Sequence, residues 1–183
     1  MPRAGLTPER LAVAGAELAD EVGFEQVTVS AVARAFDVKV ASLYSHVKSS
    51  NDLKTRIALL ALEEMADQAA DAVAGRSGRD ALTAFANVYR NYARSHPGRY
   101  AASQMRLTPE AAAASAGFRH SQMMRSILRG YNLTDLDQTH AVRLLGSVFF
   151  MGTPASSWVD RSATVHRTAP KAGQESSRHS IRC

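Results

Sequence analysis

The stretch from Thr28 to Leu53, TVSAVARAFDVKVASLYSHVKSSNDL, constrains the fold more than any other part of the chain. Val29, Val32, Ala33 and Phe36 follow Thr28 at helical spacing, and the Thr28 hydroxyl is placed to cap that helix by accepting a bond from an otherwise unpaired backbone N–H. After a break at Asp37-Val38-Lys39, a second apolar series, Val40, Leu43 and Val47, repeats at i, i+3 and i+7 and so shares one face. Two short helices joined by a tight turn are expected, the second held against the first. Stepping about 100° per residue away from Leu43 puts Ala41, Ser45 and Lys48 on the opposite side, flanked by Ser42 and Tyr44. A buried helix would be apolar all round, and a solvated one would carry several long charged side chains. This slim, mildly basic face instead suits the major groove of DNA, where short side chains must come close to base edges.

The 183-residue chain is long enough for one or two domains and a substantial core. Apolar residues make up 45%, rich in alanine and leucine, and β-branched runs are scarce outside 27–40, which predicts an all-α protein. No apolar run reaches 18 residues and no signal-peptide pattern is present, so a soluble cytoplasmic protein is expected. Two stretches carry the positive excess behind the net charge of +5, the rest of the chain being close to neutral. Residues 151–183 hold five positive and two negative side chains, and residues 34–56 hold Arg34, Lys39, Lys48, Lys54 and Arg56 against Asp37 and Asp52, giving +3 in each. Only the second cluster speaks for nucleic acid.

Taken in order, Thr7 is placed to cap a first helix with Pro8 in its first turn and a core stripe of Leu11, Ala14, Leu18 and Val22, ended by Gly23. Ser49 opens a long helix through Leu53, Ile57, Leu60 and Glu64 to Ala74, with Asp52 three residues on as a capping-box-like partner. A helix bearing Leu82, Phe85, Tyr89 and Tyr92 stops at His96-Pro97-Gly98. A short helix follows over 99–105, another runs from a Thr108 cap to about Leu128, and a last one is capped by Thr134. The last carries a stripe of Leu136, His140, Leu144, Leu145 and Val148.

The N-terminal helix, TVSAVARAFDV, the turn, and SLYSHVKSSNDL together resemble the helix-turn-helix domain of TetR-type bacterial transcriptional regulators over roughly residues 7–56, most specifically in Leu43-Tyr44-Ser45-His46-Val47-Lys48 followed by Asp52 and Leu53. Asp37 stands where the family usually has glycine and Val47 where it usually has phenylalanine. HPGRY at 96–100 and HAVRLLGSVF at 140–149 resemble the regulatory domain of one subgroup. The resemblance implies a DNA-binding domain at 1–48, a helical regulatory and dimerisation domain at 49–150 whose first part, 49–74, connects the two, and a homodimer on a pseudo-palindromic operator. It further implies a repressor released by a small effector.

Within that frame Lys48 and the Tyr44 hydroxyl are expected on DNA phosphates and Thr28 at a helix N-terminus presenting N–H groups to another. Ala41, Ser42 and Ser45 are expected at base edges with Lys39 and Val40 near the groove, and His46 lies in the same stretch. Phe85, Tyr89, Tyr92, Met105, Phe118 and Met123 are candidates to line an apolar effector pocket, against the alternative of ordinary core. The six histidines show no metal-ligand spacing, and neither a nucleophile motif nor a phosphate-binding glycine loop occurs, so no enzyme activity, cofactor or metal is expected.

After Phe149 the periodicity ends. Residues 151–183 read as a disordered basic tail where the family has one more amphipathic helix. A frameshift near Phe149 is the hypothesis attached to this break, and with it the alternative of a defective derivative with an intact DNA-binding unit but impaired dimerisation.

Overall fold

Side-chain caps set the starts of several helices in the computed structural model, which describes residues 6–150. The order is α1 (Pro8–Val22), α2 (Val29–Ala35), α3 (Val40–Leu43), α4 (Ser50–Val73), α5 (Gly78–Ser95), α6 (Pro97–Ser103), α7 (Pro109–Ala113), α8 (Gly117–Leu128) and α9 (Asp135–Phe150), with 3-10 turns at Phe24–Gln26 and Arg129–Tyr131. Thr7, Thr28, Ser49, Thr108 and Thr134 each accept a backbone N–H three residues on, at 3.1–3.3 Å. The all-α class follows directly from these elements. No helix among the described residues is long and apolar enough to cross a membrane. The tail expected at 151–183 and the frameshift hypothesis lie outside the described residues.

Two hydrophobic clusters are strung along α4. The first gathers Leu11, Ala16 and Ala19 of α1, Val29, Val32 and Ala33 of α2, then Leu43, Val47, Leu53 and Ile57, and is joined by Ala102 of α6. The second gathers Leu62, Met65 and Ala69 of α4 with Phe85, Tyr89 and Tyr92 of α5 and Met124, Ile127 and Leu128 of α8. A single 24-residue helix therefore supplies side chains to both.

Several expectations are corrected. The buried face of α1 is Leu11, Ala12, Gly15, Ala16 and Ala19, while Val22 is half exposed and Ala14 and Leu18 are only partly buried. Small residues win because they let α1 approach α4 closely: a Cβ on Gly15 would lie 2.7 Å from Ile57 Cδ1. The helix expected from Thr108 to Leu128 is broken between α7 and α8. There the Ser115 hydroxyl donates to the Ala112 carbonyl and accepts the Gly117 N–H, giving the backbone a local alternative to the helical ladder. The second helix of the opening pair is regular only over Val40–Leu43 and ends in turns through His46. On α9, Leu136, His140, Leu144 and Val148 are exposed and Leu145 is partly buried.

Candidate nucleic-acid interface

The geometry of α3 begins with the turn before it. Asp37 takes φ 51°, the left-handed conformation that favours glycine. Its N–H bonds the Arg34 carbonyl at 3.1 Å and the Val38 N–H bonds the Ala33 carbonyl at 3.0 Å, the paired pattern of a Schellman motif, with Val38 packed onto the first core. Aspartate thus holds a left-handed position that glycine would otherwise favour.

Leu43 and Val47 are fully buried and Val40 partly, which fixes the outward face. Lys39, Ala41, Ser42, Tyr44, Ser45 and Lys48 are all exposed, Tyr44 at 55%, and His46 is half-buried. The Ser45 hydroxyl donates to the Ser42 carbonyl at 2.7 Å, so toward a partner Ser45 is left as an acceptor.

Not all of the nearby charge is available. Lys54 bonds the Glu25 carboxylate at 3.1 Å and the Glu25 carbonyl at 3.3 Å and lies 5.0 Å from the centre of the Phe24 ring, which pins the 3-10 turn to α4. Arg56 pairs with Asp52 at 3.4 Å, and Asp52 also accepts the Lys48 backbone N–H at 2.9 Å. No ion pair among the described residues involves Arg34, Lys39 or Lys48. At the start of α2 the Thr28 hydroxyl holds the Ala31 N–H and the Ser50 hydroxyl holds the Val29 N–H at 3.3 Å. Two of the donors that sequence reasoning offered to a phosphate there are already bonded. Ser50 escaped notice because a serine one position past a cap carries no local signal of a bond 21 residues away.

The six effector candidates are not brought together. Phe85, Tyr89 and Tyr92 are buried in the second cluster, with Met123 partly buried against it. Met105 packs on the first cluster, and Phe118 is 71% exposed. The polar centre of the second cluster is His120, which sequence reasoning did not single out. Its Nε2 lies 3.0 Å from the Leu62 carbonyl, which can only accept, so Nε2 carries the hydrogen and Nδ1 accepts from the Tyr89 hydroxyl. Burial lowers the pKa of His120 and raises that of Tyr89. Tyr92 is also raised, first by burial and then by its bond to Glu64. Met123 also lines an open hollow of about 570 Å³ with Gln122, Arg125, Arg129 and Gln138.

Against known proteins, residues 11–53 match the model described as bacterial regulatory proteins, tetR family, and residues 82–150 match the tetracyclin repressor-like C-terminal domain. Together the two matches span more than half of the chain. The uncharacterized HTH-type transcriptional regulator YobS of Bacillus subtilis (strain 168) is 33% identical over 106 residues, 58% of this chain and 56% of YobS. The chain spans about half the length of the curated relatives it matches. Among solved structures, the TetR family transcriptional regulator PfmR from Thermus thermophilus superposes with a TM-score of 0.59 at 22% identity, covering 92% of this chain and 100% of PfmR. The Streptomyces coelicolor TetR family protein ActR, in complex with (S)-DNPA, gives 0.60 at 19% identity, covering 88% of this chain and 74% of ActR. Both share the fold described above, and with family matches over residues 11–53 and 82–150 the chain belongs to the TetR family of bacterial regulatory proteins.

Proposed function

We propose that the chain is a DNA-binding transcriptional repressor, acting in the cytoplasm as a homodimer on a pseudo-palindromic operator and released by a small apolar effector. The observation that carries this reading is the outward face of α3. Short side chains at Ala41, Ser42 and Ser45 are exposed between Lys39, Tyr44 and Lys48 on α3 and the turn that follows it, a segment anchored by fully buried Leu43 and Val47. Lys48 and the Tyr44 hydroxyl hold phosphates and set register. Ala41, Ser42 and Ser45 meet base edges, with Lys39 and Val40 at the groove and His46 behind them. The face lacks arginine, asparagine and glutamine, so DNA shape carries part of the specificity.

Residues 1–48 form the reading unit and 49–150 the regulatory unit. The exposed apolar side chains of α9, Leu136 at 67% and Leu144 at 66%, support pairing of two copies there. The second cluster, with Met65, Met124 and the His120–Tyr89 pair, supports an effector site built from adaptable apolar side chains around one polar handle. ActR, a structural relative, has been solved in complex with (S)-DNPA.

Fluorescence anisotropy of labelled mixed-sequence duplexes, titrated at several salt concentrations, tests the reading. Binding that weakens log-linearly with salt is expected. Absence of binding at low salt overturns it.

A further inference from the structure

The C-terminal half of α8 carries two arginines on one side with no carboxylate to meet them. Gln122, Arg125 and Ser126 of α8 and Arg129 of the 3-10 turn that continues it recur at i, i+3, i+4 and i+7, so they share a face. Together with Met123 and with Gln138 of α9 they line the hollow of about 570 Å³. That lining holds two cations and no acid. No ion pair among the described residues involves Arg125 or Arg129, whereas Arg119, near the start of the same helix, is matched to both Glu63 and Asp67. Like charges at i and i+4 on a helix repel. The dipole at a helix C-terminus offsets part of that repulsion, but it gives neither guanidinium an oxygen to bond.

The groups in the hollow are arranged for an oxyanion. Arg129 Nη2 donates to Ser126 Oγ at 2.8 Å, which ties the guanidinium across the face of α8 and leaves the Ser126 hydrogen to donate elsewhere. Gln138 Nε2 donates to the Arg125 carbonyl at 3.1 Å and so joins the α9 wall to α8. Two guanidinium forks and a hydroxyl match the paired oxygens of a carboxylate. Met123 is partly buried against the second cluster and supplies an apolar, adaptable part of the lining. The volume is that of a small organic molecule, and Phe85, Tyr89, Tyr92 and His120 of the second cluster are not among the lining residues.

We propose that this hollow binds a small organic anion, a carboxylate on a short apolar chain, with Arg125, Arg129 and Ser126 taking the carboxylate and Met123 the chain. The site is separate from the apolar effector site proposed in the second core, and it stands whether or not the chain binds DNA.

Isothermal titration calorimetry of the full chain with sodium octanoate tests the proposal, beside octanamide, which keeps the chain and loses the charge, and inorganic phosphate, which keeps the charge and loses the chain. Octanoate is expected to bind saturably at one site per chain, and both octanamide and phosphate about tenfold or more weaker. Arg125→Gln combined with Arg129→Gln is expected to weaken octanoate by about tenfold or more, at an unchanged urea midpoint because both side chains are exposed. Either substitution alone weakens it by a smaller factor and serves if the double variant does not fold. Arg119→Gln, the same change of charge on the same helix, leaves octanoate binding intact. Absence of saturable octanoate binding overturns the proposal. So does undiminished affinity in the double variant, which places octanoate elsewhere, or octanamide binding as tightly as octanoate. Phosphate binding as tightly as octanoate likewise overturns it, since the chain then contributes nothing.

Discussion

Gly98→Ala perturbs the junction of α1 and α6 most directly, and its cost can be worked from the geometry. The added Cβ would lie 1.9 Å from the Ala19 carbonyl oxygen, 2.0 Å from its carbon and 2.5 Å from the Asp20 nitrogen, against the 3.0 Å that real Cβ atoms keep. All three neighbours are backbone, so no rotamer change relieves the contact and the helices must part by about 1 Å. Parting them loses about 1–3 kcal/mol as overpacking. It also loosens the charged hydrogen bond from the Arg99 N–H to Asp20, worth about 1.5–3 kcal/mol. Alanine returns about 0.5–1 kcal/mol by restricting the unfolded chain. The net expectation is a loss of about 2–5 kcal/mol, read as a lower urea midpoint at unchanged m-value. Gly15→Ala is the internal contrast: its Cβ would meet the flexible tip of Ile57 at 2.7 Å, which can rotate aside, so a change within about 1 kcal/mol is expected. A Gly98→Ala protein as stable as the parent would refute the seating of α6 on α1.

Lys48→Ala should weaken binding to every duplex alike and reduce the slope of log affinity against log salt by about 0.9 for each Lys48 engaged; an unchanged slope removes Lys48 from the phosphate contacts. Burial lowers the pKa of His120 from 6.5 in the folded protein, so the unfolded chain takes up a proton near 6.5 that the folded chain refuses. Stability therefore falls as pH drops below 6.5, by at most about 1.4 kcal/mol per pH unit, and levels off below the folded-state value. His120→Asn should lose that component in urea titrations at several pH values, and parallel profiles would contradict it. Leu136→Gln combined with Leu144→Gln should convert a sedimenting dimer to a monomer whose helical content is unchanged, since both side chains lie two-thirds exposed within one protomer. A parent chain that already sediments as a monomer would refute pairing through α9.

The helix-turn-helix was legible because its core uses large branched side chains at strict helical spacing, and because Asp37 is one of the few residue types that tolerates the left-handed turn it occupies. The face of α1 was misread for the opposite reason. Hydrophobicity favours Leu18 and Val22, but α1 buries small residues, with Gly15 in close approach to Ile57 of α4 and the Ala19 backbone against Gly98 of α6. HPGRY could be read as a helix stop. Its partnership with Asp20 could not, because the bonding residues lie 76 and 79 positions apart. Aromatic residues at helical spacing likewise carry no mark that separates core from pocket: Tyr89 and Phe118 read alike, yet one is buried against His120 and the other faces solvent.

The most direct test of α3 as a DNA-reading surface on a symmetric dimer is selection of bound duplexes from a random pool by the full chain. An enriched inverted repeat whose half-site centres lie about 10 base pairs, or a multiple of that, apart is expected, and it should be lost when Tyr44 and Lys48 are both replaced by alanine. Recovery of no common sequence, or of a single unpaired half-site, would contradict it.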